Sequence, residues 1–359
     1  MTPESLIDRC DESAARLRGW LLGGRVQCAR GPHAGGIFGA FDNDGAARYV
    51  YPEITGYYLH WLAESAHGGD ADPRLGAAAA AAADWAARVL DDGAVPATRA
   101  YVDGSDADDW RNRAVFFFDL AMLLRGLCAA HEAGLIASPH RAVARLVEEL
   151  ARFVDADATG AHTIRAARTE SGVELPPRWS TLGGPFEVKA SSRVELAARH
   201  VALPAALAAA CRDLAQSHRS SIATLPLQML HPTLYFAEGM LVAEPDCGVA
   251  IATLARRCLA LADAAGNLPE AEDSRVPRSD ILAQTLRVLL LTGDADGADV
   301  ERVAAALCAR VGADGRLPFR VDVDAPQPNV WCAMFAEQAL RWYARNGRAA
   351  SLPAAEWLV

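Results

Sequence analysis

The sequence predicts an all-α chain of about twelve helices paired into six hairpins, with two small β-hairpins in its loops. Three observations carry that reading. Apolar residues recur at three- and four-residue steps through one segment after another, which is the period of an amphipathic helix. A second pattern occurs six times: a polar loop ends in a cluster of aromatic, proline or charged residues, and a helical pattern begins at once. These starts fall near residues 52, 112, 188, 232, 278 and 328, and the later ones are spaced by about 45 to 50 residues, the range of helical-hairpin repeats.

In chain order, Leu6, Ile7, Cys10, Ala14, Leu17 and Leu21 place one buried stripe on a helix over 4–22. Residues 37–41 and 47–51, separated by Asp42-Asn43-Asp44-Gly45, read as a hairpin. A helix follows over 52–67, with Pro52 suited to a first turn, and another over 75–91 that absorbs the alanine run 77–83. Phe116-Phe117-Phe118 makes the helix over 112–134 apolar nearly all round, hence buried, whereas the one over 138–155 carries a single stripe of Val143, Leu146, Leu150 and Val154. Residues 156–187 form the longest non-helical stretch, with a second hairpin expected around Glu170-Ser171-Gly172. Helices are then expected over 188–200, 203–216, 232–243, 248–262, 278–292, 297–311 and 328–345. Twelve helices in this order make six hairpins if the first closes against the last, and one domain over 1–359 is expected.

Composition excludes several functions. Forty-five acids against 35 bases give a net charge of −10, and no basic segment interleaves with aromatics, so nucleic acid is not an expected partner. No apolar run approaches the roughly 20 residues of a membrane span, and the N-terminus has no signal-peptide pattern. The eight cysteines lack C-x-x-C spacing and read as reduced core residues of a cytoplasmic protein. The excess of arginine and alanine fits a GC-rich genome. With no G-x-G-x-x-G after a strand, no Walker sequence, no G-x-S-x-G and no H-E-x-x-H, the sequence gives no reason to expect a cofactor or metal.

The run Tyr51-Pro52-Glu53-Ile54-Thr55-Gly56-Tyr57, the twelve-helix count and Asn329-Val330-Trp331 leading to Gln338-Ala339-Leu340-Arg341 resemble the (α/α)6 toroid of six-hairpin glycosidase-like proteins. That superfamily includes glycoside hydrolases, polysaccharide lyases and sugar epimerases. The resemblance implies a cleft at the starts of the inner helices and a small-molecule or oligosaccharide substrate, with no complete catalytic motif of one family matched.

Cleavage of a glycosidic bond needs one protonated and one ionised carboxyl, whose separation sets the stereochemical outcome. Glu53 and Asp280, each in the first turn of an inner-type helix, are the first candidates for base and acid; ordinary first-turn stabilisation is the competing explanation. His231 and Tyr235, one turn apart on one helix face, offer proton transfer of the kind lyases and epimerases need. Arg113, Lys189, Arg278 and Arg320 gather at the same helix starts and point to an anionic ligand or to pairing with nearby acids. Tyr57, Trp61, Trp110, Trp179 and Trp331 offer stacking surfaces for a sugar or serve as core. Glu238 and Glu337 are expected to pair with Arg287 or Arg341 inside the helix bundle. Asp106, Asp108 and Asp109 read as a solvated loop. Asp322-Val323-Asp324 is reminiscent of the acidic motifs of terpene cyclases, a weaker alternative, and a toroid that only binds a ligand or protein partner is the remaining one.

Overall fold

A computed structural model of the chain describes residues 3–42, 44–91, 95–102, 109–156, 162–169, 173–324 and 327–359. The helices are α1 (Pro3–Leu21), α2 (Pro52–His67), α3 (Arg74–Asp91), α4 (Phe117–Glu132), α5 (His140–Ala151), α6 (Trp179–Leu182), α7 (Glu187–Ala197), α8 (Ala205–His218), α9 (Leu230–Ala243), α10 (Gly248–Leu259), α11 (Ser279–Leu291), α12 (Ala298–Arg310) and α13 (Val330–Gly347). Apart from the single turn α6, these are the twelve expected helices. None among the described residues is long and apolar enough to cross a membrane.

Two kinds of helix alternate, for the reason the apolar patterns give. Helices α2, α4 and α11 are buried along almost their whole length, Pro52 to Ser65 in the first case and Phe117 to Ala130 in the second. Helix α5 instead buries one stripe, with Val143, Leu146, Val147 and Leu150 inward. The chain forms two compact units, residues 1–23, 40–46 and 218–359 in one and residues 24–39 and 47–217 in the other. In the first, α9, α11 and α13 pack in sequence, α10 and α12 cover them, and α1 lies along α13 and α12. The first helix thus closes against the last. In the second, α2, α4 and α7 pack in sequence, with α3 against α2 and α5 against α4.

The loops depart from expectation in two places. The helix expected from 112 begins at Phe117, because Trp110–Asn112 is a 3-10 turn and Ala114–Phe116 is a strand pairing antiparallel with Ala167–Thr169. That pairing takes up one arm of the hairpin expected around 170–172, whose tip lies outside the described residues. The hairpin that does form joins Val154–Ala156 to His162–Ile164, so the helix expected to reach 155 ends at Ala151. The earlier hairpin is seen as a Phe38–Val50 bridge, while Tyr49–Val50 pairs further with Ala100–Tyr101.

Two contacts set how closely the inner helices approach. In the second unit α2 and α4 cross at Gly56 and Gly126, where a Cβ on Gly126 would stand 2.3 Å from the Gly56 carbonyl oxygen. In the first unit Glu238 and Arg287 form the expected pair, Nη2 donating to Oε1 at 2.6 Å with both side chains fully buried. Arg287 also donates to the Val359 carbonyl at 2.8 Å and lies over the Phe335 ring. Glu337 pairs with Arg341 at 2.9 Å. Gly126→Ala is expected to lower the unfolding free energy by about 3 kcal/mol through overpacking against backbone, read as a lower urea midpoint at unchanged slope. Glu238→Ala, which strands a buried guanidinium, is expected to cost about 3 to 5 kcal/mol in the same measurement.

Candidate active site

The run at residues 51–57 builds one end of the second unit. Pro52 occupies the first turn of α2, where its missing N–H costs nothing. The Thr55 hydroxyl accepts from the Ile37 N–H and donates to the Tyr51 carbonyl, both at 3.0 Å, which pins strand to helix. Gly56 makes the crossing with α4, and the Tyr57 ring lies under the Lys189 ammonium, 4.8 Å from nitrogen to centroid. Lys189 is the one lysine of the sequence and is fully buried.

Glu53, Asp119 and Glu187 each stand in the first turn of an inner helix of this unit, and all three are buried. Their charges are mutually unfavourable. Burial pushes the Glu187 carboxyl well above the usual carboxylate range, and the Glu53 charge pushes it further. Asp119 is raised likewise by burial, then by Glu53, against a hydrogen bond from the Thr98 hydroxyl. The Tyr51 phenol is raised by burial and by Asp119 and Glu53, and it is hydrogen-bonded to Glu53. Neither oxygen of Glu187 has a hydrogen-bond partner among the described residues. A carboxyl kept neutral in this way holds a proton that it can give up.

In the first unit, His231 Nδ1 lies 2.8 Å from Gln284 Oε1 and 3.0 Å from Asp280 Oδ2. Both partners are acceptors, so Nδ1 carries a hydrogen. The Tyr235 ring packs on the imidazole at 4.2 Å between centroids. Asp280 is completely buried and receives Arg278 Nη2 at 2.5 Å and Nε at 3.1 Å. Burial opposes ionisation, but the Arg278 and His231 charges and their hydrogen bonds outweigh it and hold the carboxyl well below its ordinary range. Ion-paired on both sides, Asp280 is better placed to orient His231 or act as a base than to serve as the acid of a pair with Glu53.

The twelve residues singled out in the sequence divide evenly between the units, Glu53, Tyr57, Trp110, Arg113, Trp179 and Lys189 in one and His231, Tyr235, Arg278, Asp280, Arg320 and Trp331 in the other. Several are occupied with neighbours. Trp110 stacks under Arg111 at 4.4 Å, Trp179 meets Phe186 edge-on at 4.9 Å, and Trp331 meets Phe319 at 5.7 Å. Trp61 is fully buried against Tyr58 and belongs to the core. Arg278 lies over Phe319, and Arg320 pairs with Asp322 at 2.7 Å, which also accounts for the acidic loop at 322–324. Arg113 is exposed. Asp109 is no solvated loop residue, since it caps the 3-10 turn and bonds Tyr101 and Arg111; Asp106 and Asp108 lie outside the described residues. Two of the four expected cations, Arg278 and Arg320, are thus paired with local acids. Asp119 and Glu187 were missed, although the signal that picked out Glu53 and Asp280, an acid in the first turn of a buried helix, marks both equally.

No protein-family model matches the chain, and no curated protein matches it in sequence. Solved structures do match. Cellobiose 2-epimerase from Spirochaeta thermophila superposes with a TM-score of 0.68 at 16% identity, over 97% of this chain and 98% of its own. The chain has the (α/α)6 toroid fold. A glycosidase variant in complex with glucose matches this toroid with a TM-score of 0.65 at 16% identity, over 97% and 99% of the two chains. Unsaturated glucuronyl hydrolase from Bacillus sp. GL1 matches with a TM-score of 0.62 at 14% identity, over 94% and 97%. All three are six-hairpin glycosidase-like toroids, the architecture the sequence resembles.

The acid clusters of the toroid give opposite pH signatures. Glu187 and Asp119 bind protons more tightly folded than unfolded, so their contribution is complete below roughly pH 4 and is lost as pH rises toward their raised folded values. Asp280 contributes above its unfolded value, and that contribution is lost only as pH falls through its depressed folded one. Glu187→Gln is accordingly expected to raise Tm by a few degrees at pH 8 and leave it nearly unchanged at pH 4, measured by calorimetry across pH.

Proposed function

We propose that the protein is a carbohydrate-active enzyme that cleaves a glycosidic bond, with Glu187 as general acid and Glu53 as the ionised partner. The observation that carries this reading is the Glu187 carboxyl, which is buried and has no hydrogen-bond partner among the described residues, while burial and the Glu53 charge both favour its protonated form. Departure of a sugar oxygen needs a proton delivered as the bond breaks, and an acid kept neutral near pH 7 by its surroundings supplies it. Glu53, at the start of α2 where the helix dipole favours negative charge, then stabilises the oxocarbenium-like carbon directly or through water. Lys189, on the turn that carries Glu187, supplies a compact positive charge beside the Tyr57 ring and is a candidate contact for an anionic sugar substituent. The likeness to structures named glycosidase, glucuronyl hydrolase and epimerase supports sugar chemistry, and the eight buried free thiols fit a reducing, cytoplasmic setting.

A second reading rests on the Asp280–His231 contact. A histidine with Nδ1–H held by a buried carboxylate presents Nε2 as a base able to move a proton beside a carbonyl, which is epimerase or lyase chemistry. Product analysis on a panel of neutral and uronate disaccharides separates the two. Under the first reading new reducing ends appear, and Glu187→Gln lowers kcat by about 10²- to 10⁴-fold while His231→Gln retains most of it. An epimerised or unsaturated product, with loss of activity in His231→Gln and not in Glu187→Gln, would establish the second.

A further inference from the structure

In the first unit Cys10 of α1 and Cys308 of α12 meet, although 298 positions separate them, with their sulfurs 3.5 Å apart. Both are buried, Cys10 completely and Cys308 at 5% exposure. Around them the sequence supplies a set of donors. Arg16 donates to the Ser13 hydroxyl at 3.0 Å, and Ser13 in turn is hydrogen-bonded to Cys308. The shared S–H···S hydrogen bond pushes the Cys10 thiol up and the Cys308 thiol down, and Ser13 with the Arg9 and Arg16 charges lowers Cys308 further against its burial. Two thiols in direct contact, with a hydroxyl bonded to one of them and guanidinium charges nearby, are placed for a sulfenic acid formed on one sulfur to be captured by the other.

We propose that Cys10 and Cys308 form a peroxide-sensitive dithiol that closes to a disulfide and fastens α1 to α12. The Cys308 thiolate attacks one oxygen of hydrogen peroxide and the O–O bond breaks. Cys308 becomes a sulfenic acid, and the departing hydroxide takes up a proton as water. The Cys10 sulfur then attacks the Cys308 sulfur, forming the S–S bond as the S–O bond breaks; the oxygen leaves as a second water with the proton Cys10 gives up. Two thiols are oxidised by two electrons, and one peroxide is reduced to two waters. A disulfide of about 2.05 Å requires the sulfurs to close by about 1.5 Å. The closed loop spans most of the chain, which maximises the constraint placed on the unfolded state.

The test uses the full-length protein with a few equivalents of hydrogen peroxide, followed by alkylation under denaturing conditions and non-reducing peptide mapping. The expected first product links the Cys10 and Cys308 peptides, with two fewer titratable thiols and a Tm higher by several degrees, all reversed by dithiothreitol. In Cys10→Ser, dimedone is expected to trap a sulfenic acid at Cys308 before any other cysteine. Because wild-type mapping needs no variant, a folding defect in Cys10→Ser leaves the main result intact. The proposal is overturned if the other thiols are consumed before the linked peptide forms, or if Cys308 reacts with peroxide no faster than they do.

Discussion

Everything polar at the start of an inner helix has to be satisfied without bulk water. Helices α2, α4 and α11 are buried on every side, so the first-turn acids Glu53, Asp119 and Asp280 lie at places where the helix N-terminus attracts negative charge and burial penalises it. The surroundings of each group therefore decide whether it is held ionised or pushed toward its neutral form.

The two units meet this constraint in different ways. In one, Asp280 stays ionised because Arg278 grips it on one side and His231 on the other, so the carboxylate orients an imidazole. In the other, burial and the Glu53 charge push the Asp119 and Glu187 carboxyls up, and few positive or donating neighbours oppose that shift. A carboxyl in the first turn of a buried helix is an ion-pair partner in one place and is pushed toward its neutral form in the other. Neighbouring side chains decide which, since the intrinsic acidities of Asp and Glu differ by well under the shifts their surroundings impose.

A cluster that leaves Glu187 without partners lowers stability at neutral pH, a cost that a purely structural core would avoid by substituting an amide or an apolar side chain. By contrast, the Glu238–Arg287 pair is satisfied by mutual contact, by Gln338 and by the Val359 carbonyl, which is how a structural buried charge looks. This difference in satisfaction, more than burial or charge alone, separates the candidate catalytic groups from the architectural ones.

The sequence by itself determined the helices. Their number, order and alternation of inner and outer type follow from apolar periodicity, a local property that survives without knowledge of partners, and the run at 51–57 marked Glu53 in the same local way. It also predicted the pairing of Glu238 and Glu337 with arginines, because a buried acid must find a base. Only the tertiary structure decided which first-turn acids keep their protons. Glu187 and Asp280 both stand in the first turn of a buried helix; Arg278, two residues from Asp280, is local in sequence, whereas His231 beside Asp280 and Glu53 beside Glu187 are brought there only by folding. Electrostatic environment is assembled from residues far apart in the chain. The contact of Cys10 with Cys308 is decided in the same way, across 298 positions, by the packing of the first helix against α12.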